Sequence, residues 1–213
     1  MRVNQEKENI NEANSGNRVE STGAESASQQ LTHRFTERLR TLYPEVRLVE
    51  RDLAKDPLPH LDQRTVKAIF TRDRSEAEAL REALRLSDQV TEEEVLSSDI
   101  LIIASPLWNF GLPSSLKAWI DHIVRPGKTF RYTEGGGEGI AREKKAILVL
   151  ASGGVFTEGP WKAWETKEPY LRLNLSFIGI TDVQTVRAQG MNIPALSGHA
   201  IPDGEKSIES LNI

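Results

Sequence analysis

Two short stretches hold residue types that could do chemistry. One is "PLWNFG", residues 106 to 111, directly after the apolar run "DILIIAS". The other is "ASGG", residues 151 to 154, directly after "KKAILVL". Neither offers an acid–base side chain. The first offers hydrophobic area, two aromatic faces (Trp108 and Phe110) and one amide (Asn109); the second offers bare backbone, because two glycines let a ligand come close to N–H groups. A charged ligand would call for charged or phosphate-cradling residues, and these are absent from both stretches. Together the stretches suit a large planar heterocycle with polar edges. A flavin ring meets that description, and an adenine or a quinone meets it less specifically. The residues alone also allow a plainer account, in which the aromatics belong to the core and Gly153-Gly154 is only a turn. Ser26-Ala27-Ser28 has the same double character. Two hydroxyls just ahead of a helix make either an anion site at a helix N-terminus or a simple cap.

The elements that must position these residues follow from hydrophobic periodicity. "SDILIIAS" (98–105) and "KKAILVLAS" (144–152) are continuous apolar runs, as in strands buried on both faces. "VRLVERDL" (46–53) and "TDVQTVRAQ" (181–189) read as further strands. Leu31, Phe35, Leu39 and Leu42 define one face of a helix that Pro44 ends. Leu116, Trp119, Ile120, Ile123 and Val124 define a face of another, with Pro113 suited to its first turn. Residues 62 to 97 suggest two helices broken near Ser87 or Thr91, residues 160 to 177 a further helix, and the tail after Asn192 a short weak one. Strands alternating with helices imply a parallel sheet covered on both faces, with ligands at the carboxyl ends of the strands. Both unusual stretches lie at such ends and should sit side by side. The first 25 residues are different: polar and rich in Asn, Glu and Ser, they are expected to be disordered or degenerate, ahead of a single domain over residues 26–213.

Composition narrows the function. The chain has 213 residues, a formal net charge of −4 and no cysteine, which excludes disulfides, thiolate metal sites and thiol catalysis. Basic residues do not cluster, so a nucleic-acid partner is not expected. No apolar run is long enough to span a bilayer and no signal peptide is legible, which makes the cytoplasm the default location. His33, His60, His122 and His199 are scattered without ligand spacing, and are read as surface or satisfied polar residues rather than a metal site.

"PLWNFGLPSSLKAWIDHIVRPGKTFRYTEGGGEGI" followed by "KKAILVLASGGVF" closely resembles the FMN-dependent NADH-azoreductases, NAD(P)H:quinone oxidoreductases of the flavodoxin-like fold. "RDLAKDPLPHLD" (51–62) and "FIGITDV" (177–183) extend the resemblance to roughly residues 26–190. It implies a three-layer α/β/α flavoprotein that binds FMN through Ser26, Ala27 and Ser28 at the phosphate, Leu107, Trp108, Asn109 and Phe110 along the isoalloxazine, and Ala151, Ser152, Gly153 and Gly154 at its pyrimidine edge. Ala151 stands where the family commonly has serine. The implied activity is oxidoreduction by ping-pong transfer of two electrons from NADH or NADPH to quinones or azo compounds, with no catalytic side chain. Asn109 is the candidate for a contact near flavin N5 through its backbone N–H. Phe130, Tyr132 and Phe156 are candidates for lining the substrate slot. A homodimer is also implied, with Trp119 serving either the interface or the core.

One part departs from the family, which opens with an apolar strand and a serine-containing loop. Here "NEANSGNR" and "VESTGAES" stand in those places, with Glu20 where the family has a serine that contacts FMN. The first strand is central in the 2-1-3-4-5 order, so it is expected to be degenerate, missing or supplied by another chain, and the phosphate site to be weakened. Two further readings follow: a non-catalytic relative with impaired FMN binding, and an electron-carrier flavodoxin. Against the latter, no acidic docking surface stands out in the sequence.

Overall fold

A computed structural model describes residues 15–20, 26–71 and 73–213. Five strands form one parallel sheet: β1 (Ser15–Glu20), β2 (Arg47–Asp52), β3 (Ile100–Pro106), β6 (Lys145–Ala151) and β7 (Asp182–Ala188), in the order β2-β1-β3-β6-β7. Counted within the sheet this is the 2-1-3-4-5 order of the flavodoxin-like fold. A two-stranded antiparallel hairpin, β4 (Phe130–Thr133) with β5 (Gly136–Gly139), stands apart from it.

Alternation along β3 and β6 divides the core into two layers. Ile100, Ile102, Ala104, Ile147, Val149 and Ala151 face helices α1 (Ala27–Leu42) and α6 (Ala200–Glu209), whose Leu31, Phe35, Leu39 and Ile208 pack against them. Leu101, Ile103, Ala146, Leu148 and Leu150 face the opposite layer. That layer is built from α4 (Ser114–Ile123), α5 (Lys167–Ile178) and a π-helical turn over Val90–Leu96. Continuous apolar strands are thus explained by burial on both faces, as expected of a parallel sheet.

The central slot is filled by the chain itself. Ser15–Glu20 pairs in parallel with β2 on one side and β3 on the other, from Gly16 beside Ile100 to Glu20 beside Ala104. Of the expected alternatives, a degenerate strand, a missing one or one supplied by another chain, the structure has the first: the polar segment "SGNRVE" is that strand. The ladders need backbone N–H and C=O groups, which every non-proline residue supplies, and the neighbours provide the apolar cover. The expected disorder over residues 1–25 concerns positions that, apart from this strand, lie outside the described residues.

Three helix boundaries also differ from the sequence reading. Within residues 62–97 the break falls between α2 (Gln63–Phe70) and α3 (Arg74–Gln89), and not at Ser87 or Thr91. There Asp73 caps α3 by accepting from the Glu76 N–H at 2.9 Å, a local signal stronger than the gap in hydrophobic pattern. At Val90 the chain changes from α to π without a break. Next, the helix expected over 160–177 begins only at Lys167, after a single 3-10 turn at Lys162–Trp164. Finally, α1 starts at Ala27 rather than Leu31.

Trp119 belongs to the core and not to a surface. It is fully buried, and its Nε1–H donates to Glu94 Oε2 at 2.9 Å. Glu94 in turn accepts from Arg51 Nε, so a buried carboxylate joins the π-helical turn, α4 and β2. His122 is likewise a satisfied core residue. Its Nδ1 lies 2.7 Å from Ser87 Oγ and its Nε2 2.9 Å from the Pro59 carbonyl. Burial pushes its pKa below the usual histidine value, with the neighbouring Arg125 charge acting in the same direction and the Pro59 contact opposing. Among the described residues no helix is long and apolar enough to cross a membrane.

Trp119→Phe removes a buried donor to a charged acceptor and leaves a gap beside it. We expect a loss of roughly 2–3 kcal/mol in unfolding free energy, read as a lowered urea midpoint. A loss well under about 1 kcal/mol would show that Glu94 finds another partner.

Candidate functional site

Strands β1, β3 and β6 are adjacent and parallel, so their carboxyl ends lie at one edge of the sheet. Leu107 directly follows β3 and Ser152 directly follows β6. Register puts Pro106 beside Ala151, and the Leu107 N–H donates to the Ala151 carbonyl at 2.8 Å. The aromatic stretch and the glycine stretch are therefore bonded neighbours, as the sequence required.

The aromatic stretch is a tight reverse turn. Trp108 and Gly111 exchange two backbone hydrogen bonds, of 3.1 and 2.8 Å, and between them Asn109 (φ 47°) and Phe110 (φ 65°) are both left-handed. Positive φ at both central positions is the signature of a type I′ turn, in which Asn is well suited and the second position normally goes to glycine. A phenylalanine there costs about 1–2 kcal/mol of backbone strain. The turn is held from outside by Thr166, whose Oγ1 donates to the Phe110 carbonyl at 2.5 Å. Trp108 and Phe110 are half exposed, at 58% and 50%, although both are large apolar side chains. Strained, exposed aromatics on a rigid loop point to a ligand face rather than to core packing.

The glycine stretch is tied to the chain after β7. Asn192 N donates to the Gly153 carbonyl and Gly190 N to the Gly154 carbonyl, at 2.9 and 3.0 Å, while Ser152 Oγ donates to the Gly154 carbonyl at 2.8 Å. A Cβ on Gly153 would meet the Asn192 amide nitrogen at 2.4 Å, and one on Gly154 would meet the Trp161 ring at 2.7 Å. Close approach by the protein's own side chains thus requires both glycines. Ser26 caps α1: its Oγ accepts from Gln29 N at 3.3 Å and lies 3.2 Å from Ser28 Oγ. Ala27 and Ser28 are buried in the first turn of α1.

Of the three residues expected to line a substrate slot, Phe156 alone touches an aromatic of the Phe110 turn. Its ring centroid lies 6.3 Å from that of Phe110 and 5.8 Å from that of Trp161. Phe130 and Tyr132 sit on the hairpin in a second ring cluster, with Phe130 4.6 Å from Phe177. No ring contact joins the two clusters among the described residues.

Several residues at the site carried no usable signal in the sequence. Trp161 and Trp164 stack on each other at 6.1 Å, and Trp164 meets Phe110 edge-on at 5.6 Å. With Phe110 they form an exposed aromatic platform, backed by the buried Phe156, beside an open hollow of about 510 Å³ lined by Val155, Glu158, Gly159, Pro160, Trp161 and Ile193. Their i, i+3 spacing was visible; their neighbourhood was not. Lys167, at the start of α5, is the second. It is 2% exposed, and its Nζ donates to the carbonyls of Ser105 and Ala151, both at 3.2 Å. Burial pushes its pKa down to about 7; Glu165 opposes that shift and Arg187 adds to it.

Comparison with known proteins agrees with the fold. Residues 19–211 match the family model described as a flavodoxin-like fold. The chain is 58% identical over 193 residues to an FMN-dependent NADH:quinone oxidoreductase of Beijerinckia indica subsp. indica, covering 91% of this chain and 95% of the relative. Among solved structures, an azoreductase from Bacillus anthracis str. Sterne superposes with a TM-score of 0.84 at 28% identity, over 92% of this chain and 97% of the other. An FMN-dependent NADH-azoreductase from Bacillus anthracis str. Ames Ancestor in complex with FMN superposes with a TM-score of 0.78 at 25% identity, over 92% and 96%.

Phe110→Gly should relieve the left-handed strain and forfeit two edge-on ring contacts of comparable worth. We expect the unfolding free energy to change by less than about 1 kcal/mol, measured by urea denaturation. A loss above about 3 kcal/mol would make Phe110 a core residue after all.

Proposed function

Because the chain belongs to the FMN-dependent NADH:quinone oxidoreductase family of flavodoxin-like proteins, we propose that it uses bound FMN to reduce quinones and azo compounds at the expense of NADH. The observation that carries this reading is the strained, uncharged aromatic turn bonded to the glycine stretch at the carboxyl edge of β3 and β6. The residues present fit the group. Leu107, Trp108, Asn109 and Phe110 offer an apolar face for a planar ring. Ala151, Ser152, Gly153 and Gly154 offer backbone groups for its polar edge. Ser26, Ala27 and Ser28 offer the N-terminus of α1 to a phosphate.

FMN, when bound, supplies the redox chemistry, a two-electron transfer from NADH to the acceptor. The protein's share is to bind, orient and exclude water. The left-handed backbone at Asn109 and Phe110 sets the shape of the turn, and the Asn109 N–H is the group that would meet the reactive edge of the bound ring. Trp161 and Trp164, with the buried Phe156 behind them, extend the apolar wall on which a planar donor or acceptor can lie. Phe130 and Tyr132 belong to a separate cluster and reach a slot only if the hairpin and Phe110 border it from different sides. Homodimer formation and a cytoplasmic location complete the reading, on the strength of the family resemblance.

Donor and acceptor use the same face in turn, since the chain has no cysteine to serve as a second redox centre. Purified protein given FMN should be yellow and should give parallel initial-rate lines with NADH and a benzoquinone. Intersecting lines would mean that both substrates bind together and would overturn the shared face.

The phosphate end carries its own expectation. Glu20 closes β1 at the point where the family has a serine, and a carboxylate there replaces a hydroxyl donor. The loss of one charge-assisted hydrogen bond is worth about 1.5–3 kcal/mol, one to two decades in dissociation constant. Glu20→Ser should therefore strengthen FMN binding by about ten- to a hundredfold and leave riboflavin binding unchanged, read by flavin fluorescence titration. Wild-type protein that already binds FMN far more tightly than riboflavin would contradict it.

A further inference from the structure

A buried lysine is an expensive residue, and Lys167 has a position that accounts for it. Its stem runs from the first turn of α5 beneath the sheet edge. Its Nζ reaches the carbonyl of Ser105, at the end of β3, and the carbonyl of Ala151, at the end of β6. Those two residues are the points from which the aromatic turn and the glycine stretch depart. The Ala151 carbonyl accepts from Leu107 N as well, so one oxygen ties together α5, the aromatic turn and β6. The residue before Lys167 grips the same turn, through Thr166 Oγ1 and the Phe110 carbonyl. Two consecutive side chains of one helix start therefore hold both loops.

The geometry points to Lys167 as a positioning residue of the flavin site, whose ammonium group fixes the separation of the two ring-binding loops and places a positive charge under the ring's polar edge. This rests on the functional reading above and goes beyond it, because no loop residue of the site carries charge. The charge is not neutralised by a direct ion pair among the described residues. Glu165 faces it from the segment before α5, and Arg187 faces it from β7. Glu168 is engaged by Arg172, Thr185 and Arg187. A lysine serving only to anchor α5 could be replaced by an apolar side chain with a change in stability, from the two lost hydrogen bonds, but with none in flavin affinity.

The test uses full-length Lys167→Met, which keeps the length and apolar stem. Riboflavin and FMN affinities are measured by fluorescence titration, together with the urea midpoint of the flavin-free proteins. We expect a variant that remains folded, the two lost hydrogen bonds and the relieved burial of a charge acting on its midpoint in opposite directions, and affinity for both flavins reduced by the same factor, about tenfold or more. Equal factors locate the effect at the ring and not at the phosphate. The wild type supplies a second readout that survives any misfolding of the variant. A polar ring edge favours the ammonium form, so binding raises the lysine pKa above its free value of about 7, and riboflavin affinity should fall as pH rises from 6 to 9. Riboflavin is the probe because it carries no phosphate to titrate, and the methionine variant should be flat over the same range. Unchanged affinities in a folded variant, a loss confined to FMN, or a flat wild-type profile would each overturn the assignment. A wild type that binds neither flavin would instead overturn the functional reading, and this assignment with it.

Discussion

Everything at the site depends on the parallel ladder between β3 and β6. Its register runs from Ile100 beside Lys145 to Pro106 beside Ala151, and the two strands leave the sheet at the same level. Pro106 has no N–H to continue the ladder, so the chain turns outward there. The next residue, Leu107, immediately returns a hydrogen bond to Ala151. A slip of one residue would exchange the two core layers, because Ile102 and Ile147 face one set of helices while Ile103 and Leu148 face the other. Burial on both faces thus sets the register, and the register sets the distance between the two loops.

Around that fixed edge the chain spends stability on shape. Phe110 occupies a position where glycine would be unstrained, Lys167 occupies one where an apolar residue would be cheaper, and Gly153 and Gly154 occupy positions where a Cβ would strike Asn192 and Trp161. Local costs that converge on one sheet edge are what a binding site leaves in a fold. The remainder of the core shows the opposite economy. Trp119, Glu94 and Arg51 satisfy one another, and His122 is held between Ser87 and Pro59.

The first strand shows how much polarity a central position can bear. "SGNRVE" has little apolar area to offer, yet it lies between two well-formed strands and completes both ladders through its backbone. The apolar cover for that part of the sheet comes from neighbours such as Leu31 and Phe35 of α1 and Ile100 and Ile102 of β3. A sheet tolerates such a strand where the surrounding elements already specify the register.

By itself the sequence determined the layer architecture and the order of most elements. Continuous apolar runs at 98–105 and 144–152 can be satisfied only by burial on both faces, and helices must then supply the cover. It also marked the two unusual loops, because an uncharged aromatic turn and a glycine pair after buried strands are legible as residue types. Tertiary structure alone decided the rest. That Asn109 and Phe110 are both left-handed depends on the bonds between Trp108 and Gly111 and on Thr166, 56 residues further along the chain. That Trp161 and Trp164 join Phe110 while Phe130 and Tyr132 turn to Phe177 depends on where a 3-10 turn and a hairpin land, which no periodicity encodes. Lys167 looked like one more charged residue on an amphipathic helix. Only the position of α5 beneath the β3–β6 edge buries it against two carbonyls, because burial belongs to the packing of elements and not to the residue.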